Sequence, residues 1–509
     1  MLLIYPPVAK PSEPPAGISK LSGALLSYGV KHRILDANIE GLLHLLQHPH
    51  AVKATATDRW TSRALRDRFR NLESLRDWRS YRVPDRYKRM VHDLNRVLRS
   101  SGVGTCRAGL ANYEDRELSP LRSADLVRAA ENPEGNLFYP YFEKRLTGIL
   151  EKEKPSIVGF SLNFLSQALC AFSMIGFLRS RRPELTIILG GGLVTSWMKR
   201  PGWKDPFQGL VDRLVAGPGE IPLLSLAGID RAPCSHVTPV YDSLPLDHYL
   251  SPGLIVPYSG SHGRSWRRCS FCPERAERNA YVPVQTDSVL ADLQAIVKRS
   301  KPVLVHLLDN AISTELLRAL SGSPLNAPWY GFVRITPSLT DIDFCKALKA
   351  SGCVMLKLGL ESGDQAVLDE LQKGIELGTA SLALKTLKKA GIATYVYLLF
   401  GTPPEASPSA RKTLEFTARH SDDIDFLNVA IFNMPLFGPE THTFKTRTFY
   451  EGDLSLYTEF SHPKEWNRRR VRRFLNTEFR RDRAISAILK RDPVLFTSNH
   501  APFFVMART

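Results

Sequence analysis

Apolar residues in the first part of the chain fall into short unbroken runs rather than alternating with polar ones. The runs are "LLIYP" (2–6), "HRILDAN" (32–38), "PSIVGFSL" (155–162), "LTIILGGGL" (185–193) and "DRLVAGPGE" (212–220). Each ends in proline, glycine or small polar residues. Such a run predicts a strand buried on both faces, and stretches between them, such as 17–29, carry apolar residues at helical spacing. Five strands with helical crossovers predict a doubly wound, Rossmann-like α/β domain. Residues from about 40 to 150 break the rhythm, being polar, Arg-rich and helical in pattern. They read as a helical insertion between the second and third strands.

A Pro-containing linker, 228–252, separates this domain (1–227) from six strand-then-helix units. Strands are expected near 254–259, 303–309, 329–335, 354–361, 394–401 and 425–434. Helices are expected near 286–300, 313–321, 341–351, 379–390 and 406–419. Six sequential units predict a partial (β/α)6 TIM-type barrel over 253–440, with ligands at the C-terminal ends of its strands. Residues 441–509 read as a basic, helical C-terminal cap around "HPKEWNRRRVRRFL".

Composition narrows the class. With 509 residues, 43% apolar and 23% charged, the chain suits a soluble globular protein with a sizeable core. The N-terminus is broken too early by proline for a signal peptide, and no apolar run reaches the roughly eighteen residues of a membrane span. A cytoplasmic protein without a membrane partner is expected. The net charge of +17 gathers around 59–99 and 467–491. Such stretches suit phosphate or nucleic acid as well as solvated helical faces. No nucleic-acid fold signature accompanies them, which favours the solvated faces. Seven cysteines are too few for a disulfide scaffold, so a Cys-x-x-Cys reads as metal or redox chemistry.

Three sets of residues invite chemistry. The first is the rim of the N-terminal sheet, where Phe160–Gln167, Gly190–Leu193 and Gly217–Glu220 follow strands. Open α/β sheets bind cofactors in that crevice, though tight turns use the same glycines. The second is "GRSWRRCSFCPERAE" (263–277), in which Cys269 and Cys272 follow the first barrel strand and Phe271 lies between them. The third comprises polar residues that end other barrel strands: Asp309, Asn310, Arg334, Glu361, Ser362, Gly401 and Thr402. Asp309, Asn310 and Ser362 also suit helix caps, whereas Glu361 beside a strand end has no capping need.

Taken together, "CSFCPE" (269–274), "GLESGDQAVL" (359–368) and "YLLFGTPPE" (397–405) resemble the cobalamin-binding radical SAM superfamily. So do "GFSLNFLSQ", "GGGLVTSW" and "GPGE" at the first rim. The resemblance spans most of the chain, less clearly 40–150 and the C-terminal cap. It implies a [4Fe–4S] cluster on three cysteines, with one iron open to S-adenosylmethionine (SAM), and cobalamin as methyl carrier. Mapped here, Cys269 and Cys272 match the second and third cluster ligands, and Phe271 the residue facing the adenine. Asp309, Asn310, Arg334, Glu361, Ser362 and Gly401 take positions around SAM. Ser161, Asn163, Gln167, Gly190, Gly191, Gly192, Thr195, Gly217, Gly219 and Glu220 line the implied cobalamin rim. No Asp-x-His-x-x-Gly appears, so a histidine lower ligand from that motif is not expected. The implied acceptor is an unidentified small molecule or peptide, and an active enzyme needs a reducing electron donor.

The first cluster cysteine is missing. One alignment puts Ser265 at its position, and another, anchored on Gly263 and Trp266, puts Arg264 there. The nearest upstream cysteine is Cys234. Arginine stays protonated and lacks a donor lone pair for iron. Three readings remain open: an enzyme using His262 or Ser265 as substitute ligand, a degenerate member that binds cobalamin or SAM as a regulatory protein, or an active type carrying one damaging change. Arg264 is also expected to pair with a carboxylate such as Glu274.

Overall fold

The computed structural model describes residues 1–49, 58–229, 236–448 and 451–508; Cys234 lies outside them. Two compact units share the chain, Met1–Gly253 with Tyr450–Leu456, and Leu254–Phe449 with Tyr457–Thr509.

The first unit is built on a parallel sheet. Its strands are β1 (Leu2–Tyr5), β2 (Arg33–Asp36), β3 (Ile157–Ser161), β4 (Thr186–Gly190) and β5 (Arg213–Val215), in the order β2-β1-β3-β4-β5. Leu2–Ile4, Leu35, Val158 and Ile187–Leu189 are buried, as continuous apolar strands should be between helical layers. The chain reverses direction across the sheet between β1 and β3, where open sheets form a ligand crevice. Asp36 ends β2 and caps the next helix, its Oδ1 accepting from Asn38 N and Ile39 N at 3.1 Å. Between β2 and β3 lie helices Ala37–Gln47, Arg59–Leu75, Pro84–Ser100, Ser123–Glu131 and Tyr139–Glu153, and a hairpin pairing Cys106–Ala108 with Tyr113–Asp115. The Arg-rich helices are amphipathic, with Leu72, Leu75, Val91, Leu94 and Leu98 inside. Residues 236–253 pack as part of this unit, and the Tyr249 hydroxyl donates to Asp36 Oδ2 at 2.6 Å.

The second unit has six parallel strands in strict chain order: β6 (Ile255–Tyr258), β7 (Leu304–Leu307), β8 (Trp329–Val333), β9 (Cys353–Glu361), β10 (Ala393–Phe400) and β11 (Phe426–Ile431). Helices fill the connections, among them Thr286–Ser300, Thr314–Gly322, Ile342–Ala350, Leu377–Lys389 and Ser407–Arg419. Among the described residues β6 and β11 do not pair, so the sheet stays open. Two expectations change here. The last segment is not purely helical, because Met434–Pro435, Thr446–Thr448 and Tyr457–Phe460 form a small antiparallel sheet before helix Arg468–Thr477. The caps after β7 and β9 are Ser313 and Asp364, not Asp309, Asn310 or Ser362.

Candidate functional site

The rim of the first sheet is a hydrogen-bond net of short side chains. Asn163 Nδ2 donates to Ser161 Oγ at 3.1 Å, and Asn163 Oδ1 accepts from Gly192 N at 2.9 Å. Thr195 Oγ1 accepts from Gly217 N and donates to Gly191 O, both at 2.9 Å. Gln167 is fully buried, with Oε1 accepting from Asn163 N and Phe164 N and Nε2 donating to Pro6 O. It organises the rim from below. Glu220 pairs with Lys20 at 3.1 Å.

The rim glycines serve different ends. Gly190 and Gly219 would seat a Cβ at 3.4 Å from Val215 O and 3.2 Å from Leu21, and Gly192 would seat one at 3.6 Å from Asn163. Gly191, at φ 109°, would drive a Cβ to 2.4 Å from Leu162 O, so its smallness serves the backbone. Gly217, at φ 77°, would point one into open space. Two large apolar side chains stay exposed at the starts of the helices that follow β3 and β5, Phe164 at 53% and Ile221 at 57%. The rim is thus small, neutral along its glycines and apolar at its edges.

The cysteine loop after β6 is pinned to the segment that follows helix Gln365–Glu370. Ser270 N donates to Leu371 O at 3.1 Å, and Trp266 Nε1 to Gln372 O at 3.1 Å. Cys269 and Cys272 are both buried. Burial pushes the Cys269 thiol up, against the opposing pull of the Lys373 and Arg264 cations. Arg264 is thus in the electrostatic neighbourhood of Cys269. It does not pair with Glu274, whose Oε2 accepts from Asn279 at 2.9 Å; the Arg264 Nε is buried without a hydrogen-bond partner. His262 and Ser265 are exposed. Among the described residues no three His, Cys, Asp or Glu side chains are grouped as a metal ion would need, so His262 does not complete a set with the two cysteines.

Two residues that the sequence reading did not place at the site dominate this loop. Lys373 is 2% exposed, and its Nζ donates to Glu361 Oε1 at 2.8 Å and lies 5.5 Å from the Phe271 ring. Trp266 carries the Arg334 guanidinium 3.5 Å above its ring. Arg334 Nη2 donates to the Lys373 carbonyl at 2.7 Å, while its Nη1 is buried and unpartnered. Glu361 stands at φ 71° beyond a register shift in β9, a conformation rare for residues with a Cβ. A Cβ on Gly359 would come within 2.7 Å of Glu361 Oε1 and 2.9 Å of Lys373 Nζ, so the pair needs that glycine.

Other predicted positions are taken up by the chain itself. Asp309 Oδ2 accepts from Gly260 N at 3.0 Å and its Oδ1 from the Ser261 hydroxyl; burial raises its pKa. Asn310 Nδ2 donates to Gly263 O at 3.2 Å. Together they brace the start of the cysteine loop. Ser362 is buried, accepts from Asp364 N and meets the Thr413 hydroxyl. Gly401, at φ 79°, donates its N–H to Glu405.

No family profile matches the chain. Among curated proteins it is 23% identical over 323 residues to the uncharacterized methyltransferase PH0819 of Pyrococcus horikoshii, covering 56% of this chain and 68% of that one. It is 23% identical over 340 residues to the hopanoid C-3 methylase of Methylococcus capsulatus, covering 60% and 64%. Among solved structures, the radical SAM methyltransferase TsrM of Kitasatospora setae, with cobalamin and a [4Fe-4S] cluster bound, aligns over 90% of this chain and 87% of that one. The TM-score is 0.52 and the identity 15%. A second structure of TsrM, with tryptophan substrate and a SAM analog bound, aligns over 89% and 79% at a TM-score of 0.51 and 15% identity. The chain thus shares the fold of a cobalamin- and cluster-binding radical SAM methyltransferase, and the curated proteins it resembles are methyltransferases.

Proposed function

We propose that this chain is a cytoplasmic, cobalamin- and SAM-binding protein of the methyltransferase kind whose iron–sulfur corner Arg264 has remodelled. In this reading the first unit is a Rossmann-like cobalamin-binding domain, and the second is a partial (β/α)6 radical SAM barrel. In such chemistry SAM supplies a methyl group and cobalamin relays it to an acceptor, here a small molecule or peptide.

The fit differs from group to group. The first rim suits a broad, largely apolar ligand: Gly217 leaves open space, and Phe164 and Ile221 stay exposed. The second rim suits SAM through Phe271, Trp266 and the unpartnered donors of Arg264 and Arg334. The cluster does not fit as its relatives' ligand sets would have it. The loop offers two thiolates, and a guanidinium that cannot ligate iron lies near Cys269. That cation beside Cys269 is the observation that carries the reading. It favours SAM binding without reductive cleavage.

Anaerobic reconstitution tests it. The natural chain is expected to hold far less iron than a full cluster and to release little 5′-deoxyadenosine under reduction. Arg264→Cys is expected to bring iron to about four per chain, the number in a [4Fe–4S] cluster. Ser265→Cys tests the shorter spacing. A full cluster spectrum and rapid SAM cleavage by the natural chain would overturn the reading.

A further inference from the structure

The corner around Cys269 holds more cation than its carboxylates balance. Arg264 and Lys373 both act on the Cys269 thiol, and Arg264 and Arg268 both act on Arg334. Lys373 is matched by Glu361. Among the described residues Arg264 and Arg334 are in no ion pair, and each keeps a buried N–H donor without a partner, Nε in Arg264 and Nη1 in Arg334. A buried charged donor left unbonded is costly. Proteins keep such arrangements where an anion completes them. Arg334 is also held ready: Trp266 stacks against it, and the Lys373 carbonyl fixes one of its nitrogens. Planar guanidinium forks match the two oxygens of a carboxylate better than a lysine would.

We propose that Arg264 and Arg334 form a carboxylate-binding fork in place of the open iron, and that its ligand is the α-carboxylate of SAM. The inference rests on the reading that this barrel binds SAM. It adds that the loss of the first cysteine exchanged an iron anchor for a guanidinium one. No covalent step is involved, and the fork needs no metal.

Calorimetry on the full, chelator-treated chain tests the fork, with SAM, S-adenosylhomocysteine and 5′-methylthioadenosine as probes. The first two carry the carboxylate and the third does not. SAM and S-adenosylhomocysteine are expected to bind comparably, and methylthioadenosine about ten- to hundredfold more weakly, as loss of a charge-assisted contact predicts. Arg264→Gln is expected to weaken the first two about tenfold and leave methylthioadenosine unchanged; Arg264→Lys should recover part. If Arg264→Gln does not fold, decarboxylated SAM, which lacks only the carboxylate, decides on the natural chain: the fork predicts that it binds about ten- to hundredfold more weakly than SAM, and equal affinity overturns the fork. Equal affinity for all three, or SAM affinity indifferent to Arg264, overturns the fork and leaves SAM binding standing. No binding of any of the three overturns both.

Discussion

Both parallel sheets end in a rim of loops, and the two rims solve opposite problems. On the first, short side chains bond to one another and to backbone: Asn163 joins Ser161 to Gly192, and Thr195 joins Gly191 to Gly217. Charged groups nearby, the Lys20–Glu220 pair and Asp36, lie outside this net and are matched within the unit. On the second, the cations of Arg264 and Lys373 act on Cys269, Arg334 stacks on Trp266, and two buried guanidinium donors remain open. A rim that satisfies itself can meet a large ligand through shape. A rim with open donors has hydrogen-bonding capacity left for an anion, the role proposed for it above. The contrast explains why the second rim needs supporting structure, with a glycine at 359 and a left-handed Glu361, where the first needs only glycines.

The largest expected effect probes that support. Lys373→Ala would leave the Glu361 carboxylate without its cation, 12% exposed and with the Phe271 ring nearby. Removing one member of such a pair costs about 3 to 5 kcal/mol, whereas removing both charges costs much less. Chemical denaturation should therefore show Lys373→Ala strongly destabilised and Lys373→Met with Glu361→Gln close to the natural chain. Equal losses in the single and double variants would mean that the pair is not what holds the loop.

The two rims also differed in how far the sequence disclosed them. Continuous apolar runs announced every strand of both sheets, because a parallel strand buried on both faces leaves no other pattern. Cys269, Cys272 and Glu361 stood out because their spacing is local. Lys373 did not, since a lysine before a glycine looks like a solvated helix end. Its partner Glu361 is twelve residues away, and the Phe271 ring it covers lies about a hundred away. Trp266 entered only as an alignment anchor, and its contact with Arg334 is equally long-range. Gln167 and Asp309 carry a structural duty that the sequence did not disclose. Polar residues at strand ends were read as facing ligands, yet both bond loop backbone next to them. Backbone groups leaving a sheet must be satisfied somewhere, and a sequence does not say by whom.

A second comparison is set by pH, because each unit buries a carboxyl whose pKa is raised by two units or more. Burial lifts Asp36 in the first unit to about 6, although Tyr249, Ile39 and Asn38 donate to it. Burial lifts Glu405 in the second to about 7, although Gly401 and Trp466 donate to it. The unfolded chain loses these protons near 3.8 and 4.5, so the folded chain holds protons that the unfolded one has released. Stability from each group is full below its unfolded value and is lost as pH rises through the folded one. The windows are about 3.8 to 6 and 4.5 to 7, and the loss is at most about 3 kcal/mol for the first and about 3.5 kcal/mol for the second at roughly 1.4 kcal/mol per unit. Urea titrations across this range should flatten with Asp36→Asn in the first window and with Glu405→Gln in the second. A slope unchanged by both variants would remove these carboxyls as its source.

The smallest effect on stability separates backbone need from ligand room on the first rim. Gly191→Ala must place a Cβ 2.4 Å from the Leu162 carbonyl oxygen at φ 109°, so the strand end has to move. Its cost is about 2 to 3 kcal/mol, the upper part of the range for strained backbone positions. Gly217→Ala meets only the strain of φ 77°, about 1 kcal/mol, because the space ahead of it is open. Cobalamin affinity should rank the two in the opposite order. A bulky Gly217→Trp should keep the fold, as judged by its melting curve, and abolish binding of hydroxocobalamin followed by its visible absorption. Gly191 is the poorer probe, since a variant there loses affinity simply by losing the strand end. Undiminished binding by a folded Gly217→Trp chain would show that the open space beyond β5 is not where the corrin sits, and the contrast between a rim shaped for a neutral ligand and a rim charged for an anion would lose its first half.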